Sequence, residues 1–232
     1  MNSDSCPVEH VLALIPARMG SVRLPGKNLA KLEGRSLLAR AIETAQASAG
    51  VHEVLVSSDG AEILDEARSL GAGAERRSDA LATGSTTTSA VIDDVLSRRP
   101  DVTVLLVLQP TSPLRMPADV EACLVALQSH PAATTVTACD HPSRWTMTVD
   151  KDKLLVPRLG SWSAARLADD ASEVRLNGAV YAARAEYLRR GEPLVGPATV
   201  AVLMPRGRSI DVDDAFDLHL ARLLVEHPFI SS

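Results

Sequence analysis

An α/β fold, with a mostly parallel sheet covered by helices on both faces, is predicted by three features of the sequence. Apolar runs alternate with segments whose apolar residues recur at helical spacing, the order that builds such a sheet. The strongest run, Val102 to Leu108, is apolar almost throughout and shows no polar alternation, as suits a central strand buried on both sides. The first run, Val11 to Ile15, breaks at Pro16 into a loop that carries Gly20, Gly26 and the cations Arg18, Arg23 and Lys27. Ligands of parallel sheets bind outside the carboxyl ends of the strands, which is where this loop falls.

Along the chain, Ser36 to Ala49 sets Leu37, Leu38, Ala41, Ile42 and Ala45 on one helical face, with Gly50 after it. Val51 to Ser57 reads as the second strand. Ala61 to Leu70 is a helix closed by Gly71. A short strand is expected near Ala72 to Arg77 and a helix over Thr86 to Leu96. Pro117 to Ser129 is a helix with proline at its start, followed by a strand at Thr134 to Ala138. Residues 139 to 176 break the rhythm, with Trp145, Trp162, Pro142, Pro157 and Gly160. They are read as an excursion, with short strands at Thr146 to Val149 and Leu154 to Pro157. Strand returns at Asn177 to Arg184, then a short helix to Arg190 and a last strand at Val200 to Met204. Asp213 to His227 is an amphipathic helix predicted to turn Phe216, Leu220, Leu223 and Leu224 to the core. The 232 residues thus partition as one domain with an excursion.

Composition narrows the function. Net charge is −5 and the basic residues are scattered outside the first loop, which argues against a nucleic-acid partner. No run of ~18 apolar residues is present to span a membrane, and the N-terminus has no charged-then-apolar leader. The three cysteines form no C-x-x-C and read as reduced thiols of a cytoplasmic protein. The six histidines form no zinc pattern.

Three stretches carry chemistry. The first loop matches neither a P-loop, since Asn28 follows Lys27, nor G-x-G-x-x-G. Its backbone N–H groups and cations could wrap a polyphosphate, or simply be solvated. Asp211-Val-Asp213 aims two carboxylates the same way along an extended segment, as a Mg²⁺ site needs. Asp213 could instead cap the last helix, which leaves Asp211 unexplained. Gln109-Pro-Thr-Ser-Pro-Leu-Arg115 is a turn stiffened by two prolines at the edge of the sheet, either facing a substrate or merely turning the chain.

The strings P-A-R-x-G-S-x-R-L-P-G-K-N, V-S-S-D-G with Asp59, L-Q-P-T-S-P-L-R, R-L-N-G-A-V-Y and S-I-D-V-D resemble those of the CMP-acylneuraminate synthetases, within the sugar-acid cytidylyltransferases. They run from Leu12 to Asp213. The resemblance implies a Rossmann-like fold of the nucleotide-diphospho-sugar transferase type. It implies transfer of CMP from CTP to an acidic, sialic-acid-like sugar, with release of pyrophosphate and with Mg²⁺ as cofactor. Ala17, Arg18, Lys27, Asn28, Arg77 and Thr88 would meet the nucleotide. Gln109, Arg144, Arg166, Arg175, Asn177 and Tyr181 would meet the sugar. Asp211 and Asp213 would hold the metal, with Arg18, Lys27 and Asp211 acting in catalysis. A homodimer is implied, the excursion of one subunit reaching the partner's site. Two strings depart from the family. Gly84 stands where relatives carry an acidic residue, and Ala165 to Asp170 replaces R-Q-x-L-P beside the sugar, so the acceptor could be a phosphonate or a pseudaminic or legionaminic type of sugar. A D-x-D glycosyltransferase and a non-catalytic nucleotide sensor are the rival readings.

Overall fold

Seven strands form the central sheet of the computed structural model, which describes residues 9–21, 23–78, 87–158 and 173–227. In chain order the described elements are β1 (Val11–Pro16), the hairpin β2 (Lys31–Leu32) and β3 (Arg35–Ser36), α1 (Leu37–Ala47), β4 (Glu53–Ser58), α2 (Ala61–Ser69), β5 (Gly73–Arg76), α3 (Thr88–Arg98), β6 (Val104–Val107), α4 (Pro117–Ala126), β7 (Ala132–Ala138), the hairpin β8 (Met147–Val149) and β9 (Leu155–Pro157), β10 (Val174–Arg184), α5 (Ala185–Arg189), β11 (Thr199–Leu203) and α6 (Ala215–Glu226). The strand order is β11-β7-β10-β6-β1-β4-β5. All neighbours are parallel except β10, which runs antiparallel to both β6 and β7.

Side chains of β1 alternate between two cores, as strand geometry requires. Val11, Ala13 and Ile15 pack with α1, α2 and α4 on one face, and Leu12 and Leu14 with α3 and α5 on the other. The chain leaves β1 toward β4 and β5, then returns to β6 on the other side of β1. The strand order reverses there, and a crevice opens at the carboxyl ends.

Several expectations change. β7 begins at Ala132, and β10 begins at Val174, inside the stretch read as excursion. Its first residues pair with Val136 to Ala138, and the register then shifts between Leu176 and Tyr181. That bulge is what hides the strand's start from a period-two reading. The β2–β3 hairpin turns on Glu33 and Gly34, both at positive φ, as two-residue hairpins need. On α6 the buried residues are Leu218 and Ala221, with Val225 partly buried against the same cluster. Phe216, predicted to face the core, is 72% exposed, and Leu223 is exposed too. The helix docks by its 218-221-225 stripe onto Leu32, Leu37 and Val212. Its cap is Asp214, whose side chain accepts from Phe216 N–H and Asp217 N–H while Asp217 returns a bond to Asp214 N–H. Asp213 is therefore not the cap. No helix among the described residues is long and apolar enough to cross a membrane.

Candidate active site

Four loops meet at the carboxyl ends of the strands and enclose a cleft of about 410 Å³. Arg18, Ser21, Lys27 and Asn28 come from the loop after β1. Arg77 follows β5, and Thr87 and Thr88 open α3. Gln109, Pro110 and Thr111 follow β6, and Asp211 and Asp213 precede α6.

The first loop is pinned from within and from β4. Asn28 is buried and its Nδ2 donates to the Arg18 carbonyl at 2.7 Å. Met19 N–H donates to Asp59 Oδ1 at 2.8 Å, so Asp59 fastens the loop. Gly26, at φ +68°, turns the chain into the 3₁₀ turn Lys27–Leu29 that aims Lys27 inward. Ala17 is fully buried and donates its N–H to the Ser57 carbonyl, so its side chain does not line the cleft.

Lys27 Nζ reaches Asp213 Oδ1 at 3.0 Å, and Arg23 Nη2 reaches Asp213 Oδ2 at 2.6 Å. Burial works against the Asp213 charge, but the hydrogen bonds and charges of Lys27 and Arg23 outweigh it and hold its pKa below the ordinary value. Asp211 goes the other way. Although it opens onto the cleft, the protein packed around it raises its pKa, with Asp213 adding repulsion against a hydrogen bond from Thr111. The Asp211 segment is tied to the β6 loop where Val212 N–H donates to the Thr111 carbonyl at 2.7 Å. On the far wall, Arg77 bonds Ser57 through Nε (3.1 Å to Oγ) and Nη2 (3.0 Å to O). Its pKa is lowered, first by burial, with Asp59 opposing and Arg18 adding repulsion. A buried guanidinium with a second one close by favours an anion between them. Thr88 sits in the first turn of α3, where free N–H groups also favour an anion.

The expected sugar residues divide. Gln109 lines the cleft. Tyr181 sits in β10, half-buried, its pKa raised by burial and then by the charge of Asp211. Asn177 is only 1% exposed, and its amide is engaged inside the protein. Its Oδ1 accepts from Thr135 Oγ1 (2.7 Å) and Ala179 N–H, and its Nδ2 donates to Ser209 Oγ (3.0 Å) and Met204 Sδ. That network shapes the β10 bulge rather than the cleft wall. Arg175 is exposed, opposite Thr137 in the sheet. Arg144 lies in the 3₁₀ turn Ser143–Trp145. Arg166, with Gly84 and the Ala165 to Asp170 stretch, falls outside the described residues. Sequence reasoning missed Gly178. At φ +73° it lets the bulge approach so closely that a methyl there would stand 2.7 Å from Gln109 Oε1 and 3.8 Å from Asp211 Oδ2. Arg23 was read only as one of the cations that could wrap a polyphosphate, and its bond to Asp213 was not foreseen.

Residues 12–171 match the model of the cytidylyltransferase family. The chain belongs to that family. Among curated relatives of this cytidylyltransferase is a CMP-N,N'-diacetyllegionaminic acid synthase from Legionella pneumophila subsp. pneumophila. It is 31% identical over 223 residues, 93% of this chain and 96% of its own length. An N-acylneuraminate cytidylyltransferase from Escherichia coli O18:K1:H7 is 30% identical over 214 residues, but this chain spans only 51% of its length. In fold, the cytidylyltransferase is similar to CMP:2-keto-3-deoxy-manno-octonic acid synthetase solved with CTP, with a TM-score of 0.71 at 22% identity, covering 94% and 99% of the two chains. Family membership leaves the glycosyltransferase and sensor readings without support.

Proposed function

We propose that this cytidylyltransferase transfers CMP from CTP to an oxygen of an acidic sugar of the sialic or legionaminic class, releasing pyrophosphate. The observation that carries this is the meeting of Arg18 and Lys27 from the first loop with Asp211 and Asp213 from the last, in one cleft at the reversal of the sheet. The names of the relatives supply the acceptor class. As the acceptor oxygen bonds to the α-phosphorus, the bond to the leaving pyrophosphate breaks. Negative charge then grows on the β- and γ-phosphates, beside Arg18 and Lys27. Fixed cations aimed at developing charge are the main source of acceleration in such reactions.

Two carboxylates on one cleft wall, one of them repelled by the other, fit a Mg²⁺ site completed by phosphate oxygens. Bound there, Mg²⁺ would supply charge neutralisation between the phosphates and the attacking oxygen. Asp211 and Asp213 would be its protein ligands. Lys27 and Arg23 bond Asp213, and bound phosphates would compete with that carboxylate for the two cations. Gln109 and Tyr181 face the acceptor, and Asn177 holds the bulge that frames it.

The same reading makes the chain one domain acting as a homodimer in the cytoplasm. Exposed Trp145, Val149, Leu154 and Leu155 on the β8–β9 excursion, with Val174 and Leu176 beside it, support a partner surface. Unpaired Cys123 and Cys139 are in keeping with a reducing compartment.

The test incubates the protein with each nucleoside triphosphate, Mg²⁺ and a panel of sugar acids and phosphonates, and measures pyrophosphate. Release with CTP and a sialic- or legionaminic-type acid is expected. Release only with a phosphonate, or none with CTP, overturns the acceptor or the activity respectively.

A further inference from the structure

The loop that follows β6 serves two cavities. Gln109 to Thr111 line the cleft, and Pro113 to Met116 line a second cavity of about 530 Å³, closed by α1, α6 and the 3₁₀ turn Arg206–Arg208. Four guanidiniums line it: Arg40, Arg115, Arg206 and Arg208. Arg206 is paired with Asp140 at 2.6 Å, and Arg208 with Asp119. The other two have neutral partners. Arg40 Nε donates to the Leu32 carbonyl at 3.3 Å. Arg115, 4% exposed, donates through Nη1 to the carbonyls of Gln109 (3.2 Å) and Ala179 (2.6 Å). Among the described residues its buried Nε–H finds no acceptor.

Carbonyl oxygens satisfy hydrogen bonds without cancelling charge. Burial therefore lowers the pKa of Arg115 to about 10, with only the attraction of Asp119 opposing it. It also lowers that of Arg40, where Glu33 opposes and Arg35 adds repulsion. Asp119 is already engaged by Arg208 and by Met116 N–H at 2.8 Å. The cavity thus presents two guanidiniums hydrogen-bonded to carbonyls and, among the described residues, within ion-pair distance of no carboxylate, at the size of a small-molecule site.

We propose that this second cavity binds a phosphate group, as the free ion or on a small phosphomonoester. Guanidiniums brought to one cavity by separate elements suit the several oxygens of a phosphate better than the two of a carboxylate. Leu114, Met116 and Leu224 on the walls suit the carbon part of an ester. Because Arg115 also fastens Gln109 and Ala179, its occupant touches the frame of the acceptor side of the cleft.

The active cleft binds phosphates as well, so the test fills it first. The protein, saturated with CTP without Mg²⁺ or acceptor, is titrated by calorimetry with inorganic phosphate and, in parallel, with glycerol 3-phosphate. One saturable site is expected. Leu224→Glu adds a carboxylate among the guanidiniums without removing a hydrogen bond. It should weaken binding at least about tenfold, since a carboxylate repels the phosphate and competes for the same guanidiniums. Should that variant fail to give a cooperative melt, Arg40→Gln serves in its place with the same expectation. Tighter binding of glycerol 3-phosphate assigns a phosphomonoester, and equal or tighter binding of phosphate assigns the free ion. No saturable heat from either probe, or parent-like binding by the folded variant, overturns the proposal.

Discussion

Asp213 holds two cations and Asp214 caps the last helix, so neighbouring carboxylates carry separable jobs. Asp214→Ala should cost about 1 kcal/mol of stability, the usual worth of an N-cap, and leave the Mg²⁺ requirement of pyrophosphate release unchanged. Asp213→Asn and Asp211→Asn should melt near the parent yet need far more Mg²⁺. A thermal melt and a Mg²⁺ titration separate the two outcomes, and an Asp211→Asn enzyme that titrates like the parent removes the metal role. Lys27→Ala should lower turnover by about 10²-fold, the typical cost of one aimed electrostatic donor; unchanged turnover takes Lys27 out of the mechanism. At this scale the sequence strings led to most of the cleft, because Arg18, Lys27, Gln109, Asp211 and Asp213 each stand in a contiguous pattern. Asn177 shows the limit. Its partners Thr135, Met204 and Ser209 come from three other segments, so no local string reveals that its amide points inward.

Among the elements, β10 and α6 were the hardest to read. The bulge of β10 breaks the period of two, and the apolar residues of α6 are spread widely enough to allow two buried faces. Only the docking surface of Leu32, Leu37 and Val212 decides between those faces. By contrast, β1 and β6 were legible because they are buried on both sides and need no alternation. The bulge yields a prediction of its own. Gly178→Ala forces a side chain into positive φ, a strain of roughly 1–2 kcal/mol, and pushes a methyl at Gln109. The melting temperature should fall, and KM for the acceptor should rise more than KM for CTP. Parent values for both constants would detach the bulge from acceptor binding.

Across the whole molecule, the end of the sheet opposite the cleft is fastened by charge. Arg99 grips Glu53 at 2.9 and 2.5 Å and also Asp101, and His10 lies between the two carboxylates. The hydrogen bond from Arg99 holds the pKa values of Glu53 and Asp101 low. Depressed carboxylate pKa values contribute stability that is complete above the unfolded-state value and is lost as pH falls through the folded one. Melting temperature should therefore drop below pH about 4.5, the ordinary glutamate value, and drop less steeply in Glu53→Gln. Parent-like steepness in that variant would deny the cluster its part. The excursion offers a second test at this scale. Light scattering should give twice the chain mass, and Leu155→Glu should give a monomer, whereas a fully active monomeric parent would remove the dimer. A last consequence follows from the bond between Arg23 and Asp213, which are 190 positions apart. Protein synthesis runs from the N-terminus, so the cationic loop leaves the ribosome long before its carboxylate partner exists. Until then Arg23 and Lys27 lack that carboxylate, while β1 already has β4 and β6 to pair with. The β6-β1-β4-β5 half of the sheet can therefore pair before β10, β11 and the closing helix are made, and the cleft is finished only when that helix docks. Competence to bind nucleotide would thus follow the docking of α6.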